Sequence, residues 1–200
     1  MNESTLLRVL RTSSEVKRML DYDFDFRSAS IETERPIFRF NDGTSFELVG
    51  KDASGGQFAL CESRDLPKRP FLYVSSEGGA GILARSLENG LAVLIDLPYW
   101  HDCLHFSGSG QLDEMRRVVP LSESDLVAKR PQIDSKRKTL RELLGIPPIP
   151  DAVKELHSSI AELSPLYQVS GPDGWVYGML FGKFTVMSNG EWRRRLTRQG

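Results

Sequence analysis

The densest run of chemistry-bearing side chains is Tyr99-Trp100-His101-Asp102-Cys103-Leu104-His105. On a helix, His101 and His105 would share one face, the i,i+4 spacing used by two-histidine zinc sites. No glutamate follows His101, so the HExxH pattern is absent. A catalytic zinc takes three protein ligands and a structural zinc four; here His157 or Cys103 would have to arrive from elsewhere in space. The sequence therefore predicts no metal centre and no cofactor. Cys103 between two histidines has the composition of a thiolate nucleophile, but a thiolate needs a base in spatial contact and an oxyanion pocket, and adjacency supplies neither. GxSxG, P-loop lysine and paired CxxC motifs are all absent, so no catalytic residue is predicted. What the run does offer is Tyr99, Trp100 and Asp102 just past the break at Pro98, two rings and a carboxylate suited to partner contact.

Two glycine-bearing loops could cradle an anion on backbone N–H groups. Asp52-Ala53-Ser54-Gly55-Gly56 lacks a P-loop lysine and joins two strands. Ser75 to Gly81 lies between a predicted strand and a predicted helix, nearer to a phosphate loop in position, but without the GxGxxG order.

Residues 5–20 carry a helical stripe of Leu6, Leu7, Leu10, Val16, Met19 and Leu20. Residues 21–26, DYDFDF, alternate acid and aromatic, the period of a short edge strand or a solvated loop. Strands are predicted at 37–40, 45–50, 57–61 and 71–75, with a turn at Asn41-Asp42-Gly43 and a hairpin loop at 51–56. Residues 77–97 switch to helical spacing through Ile82, Leu83, Leu87, Leu91, Leu94 and Ile95, covering one face of that sheet and ending at Pro98.

SGSG at 107–110 is a flexible connection, QLDEMRRVV fits helix or strand, and 122–129 adds a helical turn. A helix capped at Asp134 or Ser135 runs to Leu144, with Gly145 at its C′ position, and Asp151 caps another whose stripe is Val153, Leu156, Ile160 and Leu163. A β-meander follows, through LYQVS, WVYGMLF and FTVMS, with Asn189-Gly190 as a hairpin turn and the final segment pairing or fraying. The prolines at 147, 148 and 150 mark the best boundary candidate. The predicted organisation is a sheet-and-helix unit over 1–120 and a helix plus β-meander over 121–200, the second separate or completing a single domain. The fold class is α+β: a mainly antiparallel sheet covered by helices, with a C-terminal helix and meander.

Composition narrows the function classes. The 200 residues carry 26 Lys plus Arg against 27 Asp plus Glu, a net charge of −1. That balance argues against a dedicated nucleic-acid binder, which needs excess positive charge facing the phosphates. Residues 129–141 hold six basic side chains against Asp134 alone, and Arg193–Arg195 with Arg198 form a second basic run; solvated surface is the ordinary fate of both. No apolar run reaches membrane-spanning length, and the opening MNESTLLRVLRTSSE is charged where a signal peptide is apolar, so a cytoplasmic protein is expected, with Cys61 and Cys103 as thiols.

One longer pattern resembles a known family. VGKDASGGQFALC, a charged loop, then FLYVSSEGGAGILARSLENGLAVLI is similar to the second half of the SUKH superfamily over roughly residues 45–97. The matching features are the small-residue turn Asp52 to Gly56, the strand Phe71 to Ser75, the acid Glu77 and the helix core Leu83-Ala84-Arg85-Ser86-Leu87. The resemblance implies a protein without catalytic residues, and many members are immunity proteins that neutralise a bacterial toxin, often a nuclease. The expectation is thus a noncatalytic immunity protein whose partner is a cognate protein toxin. The alternatives are a small enzyme or ligand-binding protein using the Tyr99–His105 cluster, and a regulatory interaction module.

Overall fold

The computed structural model describes residues 2–29, 35–64 and 66–198. The chain opens with two helices, α1 (Glu3–Thr12) and α2 (Ser14–Phe24), where the stripe predicted one. Ser13 separates them: its N–H closes α1 on the Val9 carbonyl at 2.9 Å, while its Oγ accepts the Val16 N–H at 3.3 Å and starts α2. Residues 21–24 belong to α2, so the acid–aromatic alternation is not a strand. Positions two apart on a helix diverge by about 200°, so Phe24 turns into the core while Tyr22 stays 76% exposed.

The strands are β1 (Arg27–Ser28), β2 (Arg39–Phe40), β3 (Phe46–Lys51), β4 (Gln57–Cys61), β5 (Phe71–Val74) and β6 (Gly79–Ala84), with β7 (Val169–Ser170) and β8 (Gly178–Met179) far along the chain. Among the described residues a six-stranded sheet runs β1-β3-β4-β5-β6-β8. Every pairing in it is antiparallel except β6 with β8.

Two expectations fail here. Residues 39–40 do not pair with the strand that follows Asn41-Asp42-Gly43; β2 pairs with β7, Arg39 opposite Ser170, in a separate two-stranded sheet. The helix predicted over 77–97 is a strand followed by a helix. β6 pairs with β5, and α3 (Leu87–Asp96) begins only where the Ser86 Oγ accepts the Asn89 N–H at 3.2 Å. The segment Leu83-Ala84-Arg85-Ser86-Leu87 is therefore a strand-to-helix joint. Ile82 and Leu83 are both fully buried, on opposite faces of the sheet, so their spacing carried no helical information.

The sheet is also covered on both faces, where one was expected. Phe58, Leu60, Phe71, Tyr73 and Leu83 point to a large cluster formed with α1, α2, α3 and the later helices. Ala59, Cys61, Leu72, Val74 and Ile82 point to a second cluster closed by Phe38, Phe40, Leu163, Tyr167 and Val169. FALC and FLYV are unbroken apolar runs for this reason, and both strands are buried along their whole length.

After α3 come α4 (Trp100–His105), α5 (Leu112–Lys129), α6 (Ile133–Leu144) and α7 (Ala152–Ser158), the last extended by a π turn over 159–163 and a 3-10 turn over 164–166. Gly145 ends α6 in the left-handed region (φ 61°), and the Asp151 Oδ1 accepts the Lys154 N–H at 2.9 Å to start α7. The expected stripe Val153, Leu156, Ile160 and Leu163 is buried throughout.

The C-terminal meander is reduced to β7 and β8. Residues 186–188 form a 3-10 turn, and Asn189-Gly190 opens α8 (Gly190–Arg198) in place of a hairpin. The Asn189 Oδ1 accepts the N–H groups of Glu191 and Trp192, a helix cap that an Asn-Gly pair supplies as readily as a turn. No helix among the described residues is long and apolar enough to cross a membrane.

Candidate functional site

Three segments converge beside the sheet: the end of α2, the turn between β3 and β4, and α4. The turn is built by Asp52. Its N–H donates to the Gly56 carbonyl at 3.0 Å, its Oδ1 accepts the Gly56 N–H and the Ser54 hydroxyl, each at 2.8 Å, and its Oδ2 accepts the Tyr73 hydroxyl at 2.5 Å. Gly56 is what lets the phenol in, because a Cβ there would lie 2.3 Å from the Tyr73 oxygen. Burial alone would raise the Asp52 pKa; the donors on both oxygens outweigh it and hold the carboxyl below its ordinary value. Burial, reinforced by the same contact with Asp52, raises the Tyr73 hydroxyl pKa well above its ordinary value.

Asp25, at the αL residue that ends α2 (φ 50°), accepts the Ala53 N–H on Oδ1 at 2.9 Å and so ties α2 to the turn. The N–H groups of Ala53 and Gly56, candidates for an anion cradle, are bound to the protein's own carboxylates. The Ser75–Gly81 loop is a β5–β6 hairpin turn, Ser75 N–H to Gly79 carbonyl at 2.7 Å, and opens no helix.

The 99–105 run is helical from Trp100 to His105. His101 lies over the turn, its Nε2 3.6 Å from the Asp52 Oδ2, and its ring stacks on Trp100 with centroids 3.5 Å apart. Desolvation against these neighbours lowers the His101 pKa despite the attraction of Asp52. Asp25, Asp52 and His101 bring one ligand atom each within 4.8 Å of the others.

His105 stacks instead on Phe184 at 4.9 Å, and the His157 Nε2 contacts the Gly110 carbonyl at 2.8 Å. The histidines weighed as a zinc set are thus dispersed. Cys103 is fully buried and free, and burial pushes its thiol up to about 12, so it is protonated at neutral pH.

Of the three contact candidates, Trp100 is 1% exposed, packed edge-on to Tyr73 at 4.8 Å, and serves the core. Tyr99 is mostly buried, hydrogen-bonded to Glu123, and shows only an edge to a neighbouring cleft. Asp102 is exposed and lines that cleft, its Oδ2 accepting the Ser122 hydroxyl at 3.2 Å.

The cleft is open, about 540 Å³, between α2 and α5. Asp21, Asp23, Asp25, Asp102 and Asp125 line it against Lys129 and Arg130, and the exposed Tyr22 stands at its edge with the Arg130 guanidinium 5.8 Å from the ring centroid. Asp21 pairs with Arg27, and Asp125 with Arg195. Asp25 and Asp102 are held by neutral donors, which position the carboxylates without cancelling their charge.

Sequence reasoning missed Asp25, Tyr22 and Tyr73. The DYDFDF run held the first two in plain view, but read with a strand's period its acids and rings fall on opposite faces; α2 and its cap put Tyr22 and Asp25 on one rim and send Phe24 and Phe26 into the core. Comparison with protein-family models, with curated proteins and with solved structures found no match to this chain.

Proposed function

We propose that this chain is a noncatalytic binding protein of SUKH type, acting in the cytoplasm as an immunity protein that captures a cognate bacterial toxin. The observation that carries the reading is the cleft between α2 and α5, where Asp25 and Asp102, held by neutral donors, present carboxylates beside the exposed Tyr22 while Asp21 and Asp125 are paired with Arg27 and Arg195. A row of carboxylates suits the basic substrate groove of a nuclease, and blocking that groove sterically needs no catalytic group on this chain. Tyr22 offers large contact area at a small entropic cost, as interface anchors do. Asp102 supports the same surface. Trp100 does not contact the partner; it backs α4, which presents Asp102.

The test starts from the gene's neighbourhood. A toxin encoded immediately beside it is expressed with and without this protein, and growth and direct affinity are measured. The expected result is protection by the wild type, with Tyr22→Ala and Asp102→Ala each weakening the complex about tenfold or more while keeping the wild-type melting temperature. Full protection and unchanged affinity in both folded variants reject the cleft as the contact surface. Turnover of a metabolite by the purified protein, abolished by His101→Ala or Cys103→Ser, rejects the binding reading itself.

A further inference from the structure

We propose that Asp25, Asp52 and His101 form a binding site for one divalent transition-metal ion of the zinc class, with an open position for a further ligand. The three donors come from three separate elements, the α2 cap, the β3–β4 turn and α4, and their ligand atoms already lie within 4.8 Å of one another. The spacing of His101 Nε2 and Asp52 Oδ2, 3.6 Å, is too long for a good hydrogen bond. It is close to the edge of a tetrahedron around zinc, about 3.3–3.4 Å for metal–ligand bonds of about 2.0–2.1 Å.

An imidazole with two carboxylates is a mixed nitrogen–oxygen set, which favours zinc-like ions over calcium and magnesium, whose sites are all oxygen. The outer shell is in place as well. The Tyr73 hydroxyl donates to the Asp52 Oδ2 at 2.5 Å and orients that oxygen, the Ala53 N–H fixes Asp25 through Oδ1, and stacking on Trp100 fixes the His101 ring. His101 is 45% exposed, which leaves a path for the ion and for a fourth ligand. This donor set is distinct from the dispersed histidines His105 and His157; it shares Asp25 with the toxin-binding cleft, but metal affinity and toxin protection are read by separate measurements, so failure of one is distinguishable from failure of the other.

The test is calorimetric titration of Zn²⁺ into the chelator-stripped full-length chain, with Co²⁺ as a visible-absorption probe of coordination geometry. One equivalent is expected, with the d–d spectrum of a low-coordinate nitrogen–oxygen site. Asp25→Asn, which retains an oxygen to accept the Ala53 N–H, and His101→Ala should each weaken binding about tenfold or more, and Tyr73→Phe about 10–100-fold. His105→Ala and His157→Ala should bind as the wild type does. Circular dichroism confirms that each variant is folded. Absence of binding to the wild type, unchanged affinity in both Asp25→Asn and His101→Ala, or loss of binding in a His105 or His157 variant would overturn the assignment.

Discussion

Two aromatic residues that look equivalent in the sequence have opposite roles, and substitution separates them. Trp100 is sealed against Tyr73 and Phe58, while the Tyr22 ring is mostly in solvent. Trp100→Ala removes buried area and leaves a cavity beside the sheet, an expected loss of about 3–5 kcal/mol. Tyr22→Ala removes a ring that the fold does not bury and should change stability by no more than about 0.5 kcal/mol. Urea unfolding of the two variants checks both values. Comparable destabilisation by the two would mean that Tyr22 is packed and unfit as an anchor. The run that carried the most chemistry in the sequence supplied His101 and Asp102 to the candidate sites, but their partners could not be read there. Asp25 and Tyr73 lie dozens of residues away, and no spacing rule links positions joined only through the sheet.

At the scale of elements, α3 shows how packing overrides propensity. Gly90 inside a helix costs about 1 kcal/mol relative to alanine and reads as a break, yet α3 is continuous through it. The reason is Phe71 on β5, whose ring lies 2.2 Å from where a Cβ would sit on Gly90. The helix settles onto the sheet because that side chain is missing. Gly90→Ala should therefore destabilise by about 1–3 kcal/mol through overpacking, against the gain that propensity alone predicts. Leu87→Ala on the same helix should cost about 2–5 kcal/mol, its side chain being fully buried. Thermal melts of both decide the matter; a Gly90→Ala variant more stable than wild type would show that α3 stands off the sheet. The helices at 133–144 and 152–158 were legible because local chemistry ends or starts them, Gly145 and Asp151 respectively. β6 was not, because a fully buried strand has no polar face to set its period.

Across the whole molecule, ion pairs join elements far apart in sequence. The Arg69 guanidinium spans Glu3 on α1 and Glu47 on β3, and Arg11 also binds Glu47. Arg137 on α6 binds Glu123 on α5 through two hydrogen bonds of 2.7 and 2.8 Å, and its Nε donates to the Ile95 carbonyl at the end of α3. Burial would raise the Glu47 pKa, but the two guanidinium groups outweigh it and hold it below 4.5; the Arg137 hydrogen bonds do the same for Glu123. A carboxylate depressed in the folded state contributes stability that is fully present above its unfolded pKa, near 4.5, and is lost as pH falls through the lower folded value. Urea midpoints should therefore fall as pH drops below about 4.5. A Glu47→Gln/Glu123→Gln variant should be less stable at pH 7 and lose less on acidification. Parallel wild-type and variant profiles would assign the acid sensitivity to other groups.

The sequence alone determined what local physics can set: an α+β chain, the antiparallel β3–β4–β5 hairpins, the helices with glycine or aspartate at their ends, and an acidic aromatic run at 21–26. These follow from turn chemistry, capping and amphipathic spacing within a few residues. Long-range packing sets the rest: β2 pairs with β7, the sheet is covered on both faces, Trp100 is core, and Asp25, Asp52 and His101 meet. Each of these depends on chain segments brought together across the fold, where burial on all sides erases periodicity and a side chain's partner is chosen by packing rather than by distance along the chain.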